Sequence, residues 1–463
     1  MRRGRRIVAL ALACLLAVLA WPAREAPVEA AAPGLNVVLL VVDDIRWDSI
    51  GAAGNRVVRT PRLDRIAAEG VRFEQARVTT AICMVSRATL LTGQYMSRHG
   101  VTAFGRPLSP EAFAETWPGV LRRAGYWTGL VGKYDVGPAR ASDFDVLHAY
   151  HGRHWIEGPD GTRTHVTERN REDALAFLRD RPRDRRFALT VGFFAPHAED
   201  NAKDQYLPQP WSAAAYEGVT IPAPRHGDPA YLRALPPFLS AEANEGRVRY
   251  HWRFDTPADY QAYMRRYYRL ITEVDAAIGA IVDLLRAQGE LERTMIVVIG
   301  DNGYFHGDRG LADKWYPYEE ALRVPLLVRD PRLPRARRGG APGARVLNLD
   351  VAPTLVAAAG LPVPARMQGR DMAPLYLQAR PPAWRDAFFY EHPTITSRDR
   401  IPSSVGVIGS AWKYVEYPEH GHRQLFSLRD DPDELHDLAR DPAHAGRVAS
   451  MAAELEAWRA RAR

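Results

Sequence analysis

The sequence predicts an α/β fold built on a mostly parallel sheet, followed by a small antiparallel sheet near its C-terminal end. Two apolar runs carry the first part: residues 36–42 and 295–300 are continuous rather than alternating, as in strands buried on both faces, and each ends in acidic or amide residues. The third observation is the alternation of strand-like and helix-like segments over most of the 463 residues.

In order, Asn36-Val37-Val38-Leu39-Leu40-Val41-Val42 stops at Asp43-Asp44. Ligands of parallel sheets bind beyond the carboxyl ends of strands, which puts this acidic pair at a binding edge. Adjacent carboxylates repel unless a positive group lies between them, and a hard cation is the simplest such group. Residues 60–70 read as a helix with Leu63, Ile66 and Ala67 on one face. Cys83 stands just before a helix start, with Ser86 as its cap and Leu90 and Leu91 facing a core. A helix over 117–124 ends at Gly125, and a strand over 127–131 delivers Gly132-Lys133-Tyr134-Asp135. A helix over 170–180 precedes a strand over 187–194 that ends at Ala195-Pro196-His197.

From residue 198 to 259 the periodicity is lost and prolines and aromatic residues crowd together, the composition of a binding or lid region or of a rigid surface loop. The aromatic residues between Tyr206 and Trp252 suit the faces of sugar rings. A long helix over 257–288 places Met264, Tyr267, Ile271, Val274 and Ile278 at core spacing. Residues 295–300 then repeat the first strand's arrangement and end in Asp301-Asn302-Gly303. A strand over 324–328, an arginine-rich solvent loop over 335–340 and a helix through 350–355 follow. Beyond residue 381, short strands near 387–390, 404–409, 412–417 and 424–428 and a closing helix near 449–460 form the antiparallel part.

Composition narrows the function classes. With 46% apolar and 25% charged residues the chain has the make-up of a folded globular protein, and its net charge of +7 comes almost wholly from arginine. No basic stripe is interleaved with aromatic residues, which argues against nucleic acid as a partner. Lysine occurs only at Lys133, Lys203, Lys314 and Lys413, and in so arginine-rich a chain the choice of a compact ammonium favours a functional reading of Lys133 and Lys314. Arg2, Arg3, Arg5 and Arg6 precede an apolar run over 7–21 and a small-residue stretch, the pattern of a secretory signal over 1–32. That run is shorter than a stable membrane span, and the protein is expected to be periplasmic or secreted. The mature chain divides into a catalytic domain over 34–380 and a C-terminal subdomain over 381–463. Cys14 falls within the signal, so Cys83 is the mature chain's one thiol, either a nucleophile or a buried small hydrophobe.

Cys83, Ser86, Arg87, Leu91, Thr92 and Gly93 resemble the signature of the formylglycine-dependent sulfatases, with Val85 in place of the family's proline. Further matches are Asp43-Asp44, Gly132-Lys133, Pro196-His197, Asp301-Asn302-Gly303, the run from Lys314 to Pro325, and 350–355. The resemblance implies an alkaline-phosphatase-like α/β/α sandwich and an exported sulfuric ester hydrolase. It implies that Cys83 is converted to formylglycine by a formylglycine-generating enzyme, and that Asp43, Asp44, Asp301 and Asn302 join residue 83 around a divalent cation. Oxygen side chains without imidazole suit calcium, or magnesium, better than zinc. It further implies that Arg87, Lys133 and Lys314 surround the sulfate of a sulfated small molecule or glycan and that His197 protonates the leaving alcohol. The family usually reads Gly-Lys-Trp-His where this chain reads Gly-Lys-Tyr-Asp, so Asp135 either takes over the base role of that histidine or has lost it. Two other classes stay open: a phosphodiester or phosphonate monoester hydrolase, since enzymes related to the family use similar nucleophiles and metals, and, on the strength of Val85 and Asp135, a non-catalytic sulfatase-like binding protein. His99 reads as a structural histidine, and His306 as one near enough to the second acidic turn to reach substrate.

Overall fold

The computed structural model describes residues 34–158, 160–200 and 202–463, so the predicted signal lies outside the described residues. Strand β1, Asn36–Val42, lies in the middle of a seven-stranded sheet, and none of its residues is more than 6% exposed. After it come helix α1 (Pro61–Glu69), strand β2 (Val71–Arg72), helices α2 (Cys83–Thr92) and α3 (Trp117–Arg123), and strands β3 (Trp127–Gly132) and β4 (Val146–Ala149). Helix α4 (Val166–Asp180) leads into β5 (Phe187–Phe193); helices α5 (Glu245–Arg253) and α6 (Pro257–Ala287) precede β6 (Thr294–Gly300) and β7 (Leu326–Arg329). The order across the sheet is β2-β7-β6-β1-β5-β3-β4. Strands β6, β1, β5, β3 and β4 are parallel, whereas β7 runs antiparallel to β6 and to β2.

The unbroken apolar runs are explained by helices on both faces of the sheet. Val38, Leu40 and Val42 of β1, with Leu189 and Val191 of β5, pack against Leu63 and Ile66 of α1, Phe177 of α4 and Ile271, Val274 and Ile278 of α6. Val37, Leu39 and Val41, offset by one residue, join Met84, Ala88 and Leu91 of α2 and Trp117 and Leu121 of α3 in the opposite core. Helix α7 (Val351–Ala358) belongs to that second layer. The result is the α/β/α sandwich expected from the sequence. Beyond it, β8 (Phe388–His392), β9 (Ser404–Ile408), β10 (Trp412–Tyr417) and β11 (His422–Ser427) form an antiparallel sheet in sequential order. Helix α8 (Ala445–Ala462) packs on it through Val448, Met451 and Leu455.

Three expectations are corrected. The stretch 198–259 holds a 3₁₀ turn at Pro210–Tyr216, short helices at Pro229–Arg233 and Pro237–Ser240, and α5. Prolines read as breakers occupy first helical turns, where a missing N–H costs nothing, and Asp228 and Asn244 cap the helices that follow them. Helix α4 starts at Val166 rather than 170, capped by the imidazole of His165, a residue outside the usual set of caps. Ser86 does not cap α2, which begins at Cys83 itself; its hydroxyl instead accepts a hydrogen bond from Asn348 Nδ2 at 2.9 Å.

Two glycines let β3 and β5 deliver their ends to one place. Gly132 has φ 85°, and a Cβ there would lie 2.2 Å from Gly192 O; a Cβ on Gly192 would lie 2.1 Å from Lys133 O. Only two bare backbones fit at this contact. Gly192→Ala is therefore expected to force the strand ends apart, lowering stability by roughly 1–3 kcal/mol in urea unfolding, as overpacking does, and displacing Lys133.

Candidate active site

The carboxyl ends of β1, β3, β5 and β6 and the first turn of α2 converge on a single buried group of charges. Asp43, Asp44, Asp301 and Asn302 are each 0% exposed. Asp44 turns the chain sharply, with φ 51°, a conformation that aspartate tolerates better than most residues. Its backbone N–H donates to Asp301 Oδ1 at 3.2 Å, which ties the end of β1 to the end of β6. Asn302 Nδ2 donates to Asp44 Oδ1 at 2.6 Å, and Tyr267 of α6 donates to the Asp44 carbonyl at 2.8 Å.

Helix α2 aims its N-terminus at these acids. No side chain caps it, so its first N–H groups are left for the site. Cys83 Sγ lies 3.2 Å from Asp43 Oδ1 and 3.7 Å from Asn302 Oδ1. Burial and the charge of Asp43 push this thiol well above its ordinary pKa, so as a free cysteine it stays protonated. One turn on, Arg87 Nε donates to Asp301 Oδ2 and Nη1 to the Lys133 carbonyl, both at 2.7 Å, while Nη2 is buried without a partner.

The two lysines singled out by their rarity both arrive here. Lys133 pairs with Asp43 and lies 3.1 Å from Asp135 Oδ2; Lys314 pairs with Asp44. His197 follows β5 and holds Nε2 3.5 Å from Asp44 Oδ2, its Nδ1 hydrogen-bonded to the Ala198 carbonyl at 2.7 Å. Burial works against the charge of Asp43, but Lys133, His197 and Arg87 hold it well below the usual carboxylate range. Asp301 goes the other way, pushed up to about 7 by burial and by Asp43. Burial is the larger cause, and the neighbouring carboxylate of Asp43 adds to it while Arg87 and Lys133 oppose it.

The donor set fits a hard dication. Asp44 Oδ2 is buried with no hydrogen-bond partner, and ligand atoms of Asp43, Asp44, Cys83 and His197 lie within 4.8 Å of one another. Asp301 and Asn302 add oxygens beside them. A second cluster, His226, Asp308 and Glu320, is already neutralised by Arg46 on Asp308 and Arg309 on Glu320.

Other expected residues fall elsewhere. His99 is structural, bridging Thr89 and the Val101 N–H, with its pKa pushed down to about 3 by burial. His306 is 2% exposed and packs edge-on against Tyr267 and at a tilt against Tyr304. Tyr206, expected near sugar, is buried against Tyr304, whereas Trp211 and Trp252 are exposed.

Two contributors have no motif in the sequence. Arg253, 0% exposed, donates to Asp313, to Tyr304 and to Asp200 at 2.8, 2.6 and 2.9 Å, and so pins the turn carrying Lys314 to the 198–259 region. His151 places Nδ1 3.0 Å from Asp135 Oδ1.

A family model described as Sulfatase matches residues 35–361, which contain every one of the converging side chains. The chain belongs to the sulfatase family. A second model, described as the C-terminal part of N-sulphoglucosamine sulphohydrolase, matches 307–461. Among curated proteins this sulfatase is 25% identical to an N-acetylglucosamine-6-O-sulfatase of Bacteroides thetaiotaomicron, over 87% of this chain and 82% of that one. Among solved structures it superposes with TM-score 0.77 and 23% identity on one in complex with its substrate D-glucosamine-2-N,6-O-disulfate, covering 93% and 98% of the two chains. The phosphonate monoester hydrolase of Agrobacterium radiobacter gives the same TM-score and identity over 93% and 96%. These likenesses make the protein an enzyme of sulfate ester hydrolysis on an alkaline-phosphatase-like fold.

Removing one partner of a buried ion pair leaves the other charge uncompensated. Arg253→Met is expected to cost about 3–5 kcal/mol in urea unfolding. Asp313→Asn in the same background should recover part of that loss.

Proposed function

We propose that this enzyme is an exported hydrolase of sulfate esters on glycans that works through a formylglycine made from Cys83 and a divalent cation. The observation that carries the reading is the seat of Cys83: at the head of a buried helix, with Sγ 3.2 Å from Asp43 and three cations within the same group of charges. A structural thiol needs none of these neighbours. The name of the N-acetylglucosamine-6-O-sulfatase relative supports an amino-sugar sulfate as substrate. The basic and apolar pattern over residues 1–32 supports export to the periplasm or medium.

Asp43, Asp44, Asp301, Asn302 and residue 83 would hold the cation, calcium by the preference of such oxygen ligands. When present, the cation supplies positive charge for the sulfate oxygens, and the hydrated aldehyde supplies a hydroxyl nucleophile. The chain's own groups do the remaining work. Arg87, Lys133 and Lys314 bind the sulfate and draw charge from sulfur as it accumulates on the oxygens. A hydrogen bond donated by Nδ1 to the Ala198 carbonyl fixes the His197 ring and leaves Nε2 as the atom that delivers a proton to the leaving alcohol, from the imidazolium form. Burial of the whole group excludes water and raises the worth of each charge.

Coexpression with a formylglycine-generating enzyme is expected to convert Cys83, read as loss of the sulfur in the intact mass of the peptide that contains it. The converted enzyme should turn over p-nitrophenyl sulfate faster than the corresponding phosphate diester. Preference for the diester, or an unconverted thiol with no turnover, would overturn the reading. Calcium at about a hundred times its Kd should stabilise the fold by about 2.7 kcal/mol over chelator-treated protein, and Asp44→Asn should abolish most of that gain in the same urea titration.

A further inference from the structure

Asp135 occupies the position of the family's second histidine, and a carboxylate alone is poorly suited to that role. Its side chain is 5% exposed, with Lys133 Nζ 3.1 Å from Oδ2 and Arg87 close by. Burial raises its pKa, but Lys133 and Arg87 outweigh that and hold it below the ordinary value. A base so acidic has little drive to take a proton near neutral pH. Something in the structure offsets this. His151, just beyond β4, places Nδ1 3.0 Å from the other oxygen of the same carboxylate. Strand β4 pairs with β3 in parallel, so the turn after β4 is carried alongside the turn that bears Asp135. Asp135 itself has φ 59°, which swings its side chain out of line with β3. The imidazole is 54% exposed and lines, with Asp135, Tyr134, Tyr150 and Phe104, a cavity of about 370 Å³.

We propose that His151 is a positioning residue that joins Asp135 in one acid–base unit, doing with two side chains what most relatives do with one histidine. The proposal rests on the sulfatase reading above and deepens it. The carboxylate accepts the proton of the reacting hydroxyl, whose O–H bond breaks. It passes that proton to Nδ1 of neutral His151, which becomes an imidazolium paired with the restored carboxylate. The imidazolium then loses its Nε2 proton to water in the cavity. Nothing else is consumed. The charged groups that His151 faces are Asp135, Lys133, Arg87 and Asp43: the two carboxylates favour its protonation and the two cations oppose it, with burial opposing it most. The pair therefore titrates as an imidazole while presenting a carboxylate to the reaction.

Two measurements test this. In folded protein with Cys83 unconverted, NMR of labelled histidines should show the His151 midpoint falling by about one unit or more in Asp135→Asn, where only Asp43 is left to offset Lys133 and Arg87. An unmoved midpoint overturns the pair. In converted enzyme, His151→Gln should lower kcat for p-nitrophenyl sulfate by about tenfold to a hundredfold, leave KM nearly unchanged and remove the acid limb of the pH profile. Combining Asp135→His with His151→Gln restores a single imidazole at the usual position and should recover most of the lost turnover. A His151→Gln enzyme with the parental kcat and pH profile overturns the proposal while the sulfatase reading stands. Should the parent enzyme hydrolyse no sulfate ester, the sulfatase reading fails instead, and the NMR titration alone decides whether the pair exists.

Discussion

Mutual repulsion among buried carboxylates is the constraint around which this enzyme is arranged. Asp43, Asp44, Asp135 and Asp301 lie within one desolvated pocket, where charges interact many times more strongly than in water. Arg87, Lys133 and Lys314 are three permanent cations set against these four acids, and burial together with the charge of Asp43 raises the pKa of Asp301.

That balance also explains why so much of the fold serves as buttress. The charges enter from several separate elements, and those elements are fixed by contacts remote from the chemistry. Lys133 rides on β3 because two glycines let β3 and β5 touch. Lys314 sits in a turn held through Asp313 by Arg253. Helix α2 is clamped at its far end, where the Gly93 carbonyl accepts the N–H groups of Gln368 and Gly369. Arg253 and Asp313 are buried with the site.

The sequence made the core legible because its two acidic strand ends each terminate an apolar run, a pattern set by chain direction alone. Arg87 and Lys133 were readable from short motifs, and Lys314 from its rarity among arginines. What spacing does not show is pairing between side chains on separate loops. His151 lies sixteen residues beyond Asp135, in a segment with no periodicity, and only the parallel register of β3 and β4 brings them together. Arg253 belongs to no motif, and only its burial marks it as part of the support. Ser86 was misread as a cap because a hydroxyl near a helix start commonly is one; here a polar group from a distant turn claims it.

The depth of Cys83 carries a consequence of timing. With the helix docked, the sulfur is 2% exposed and every residue of its helix is buried, leaving no approach for another macromolecule. Any enzyme that alters this atom must therefore meet it before the sandwich closes. Under the proposed conversion of Cys83, modification and closure would be rivals for the same interval of the newly made polypeptide, and a variant that collapses sooner would leave a larger share of molecules unconverted however perfect their final shape.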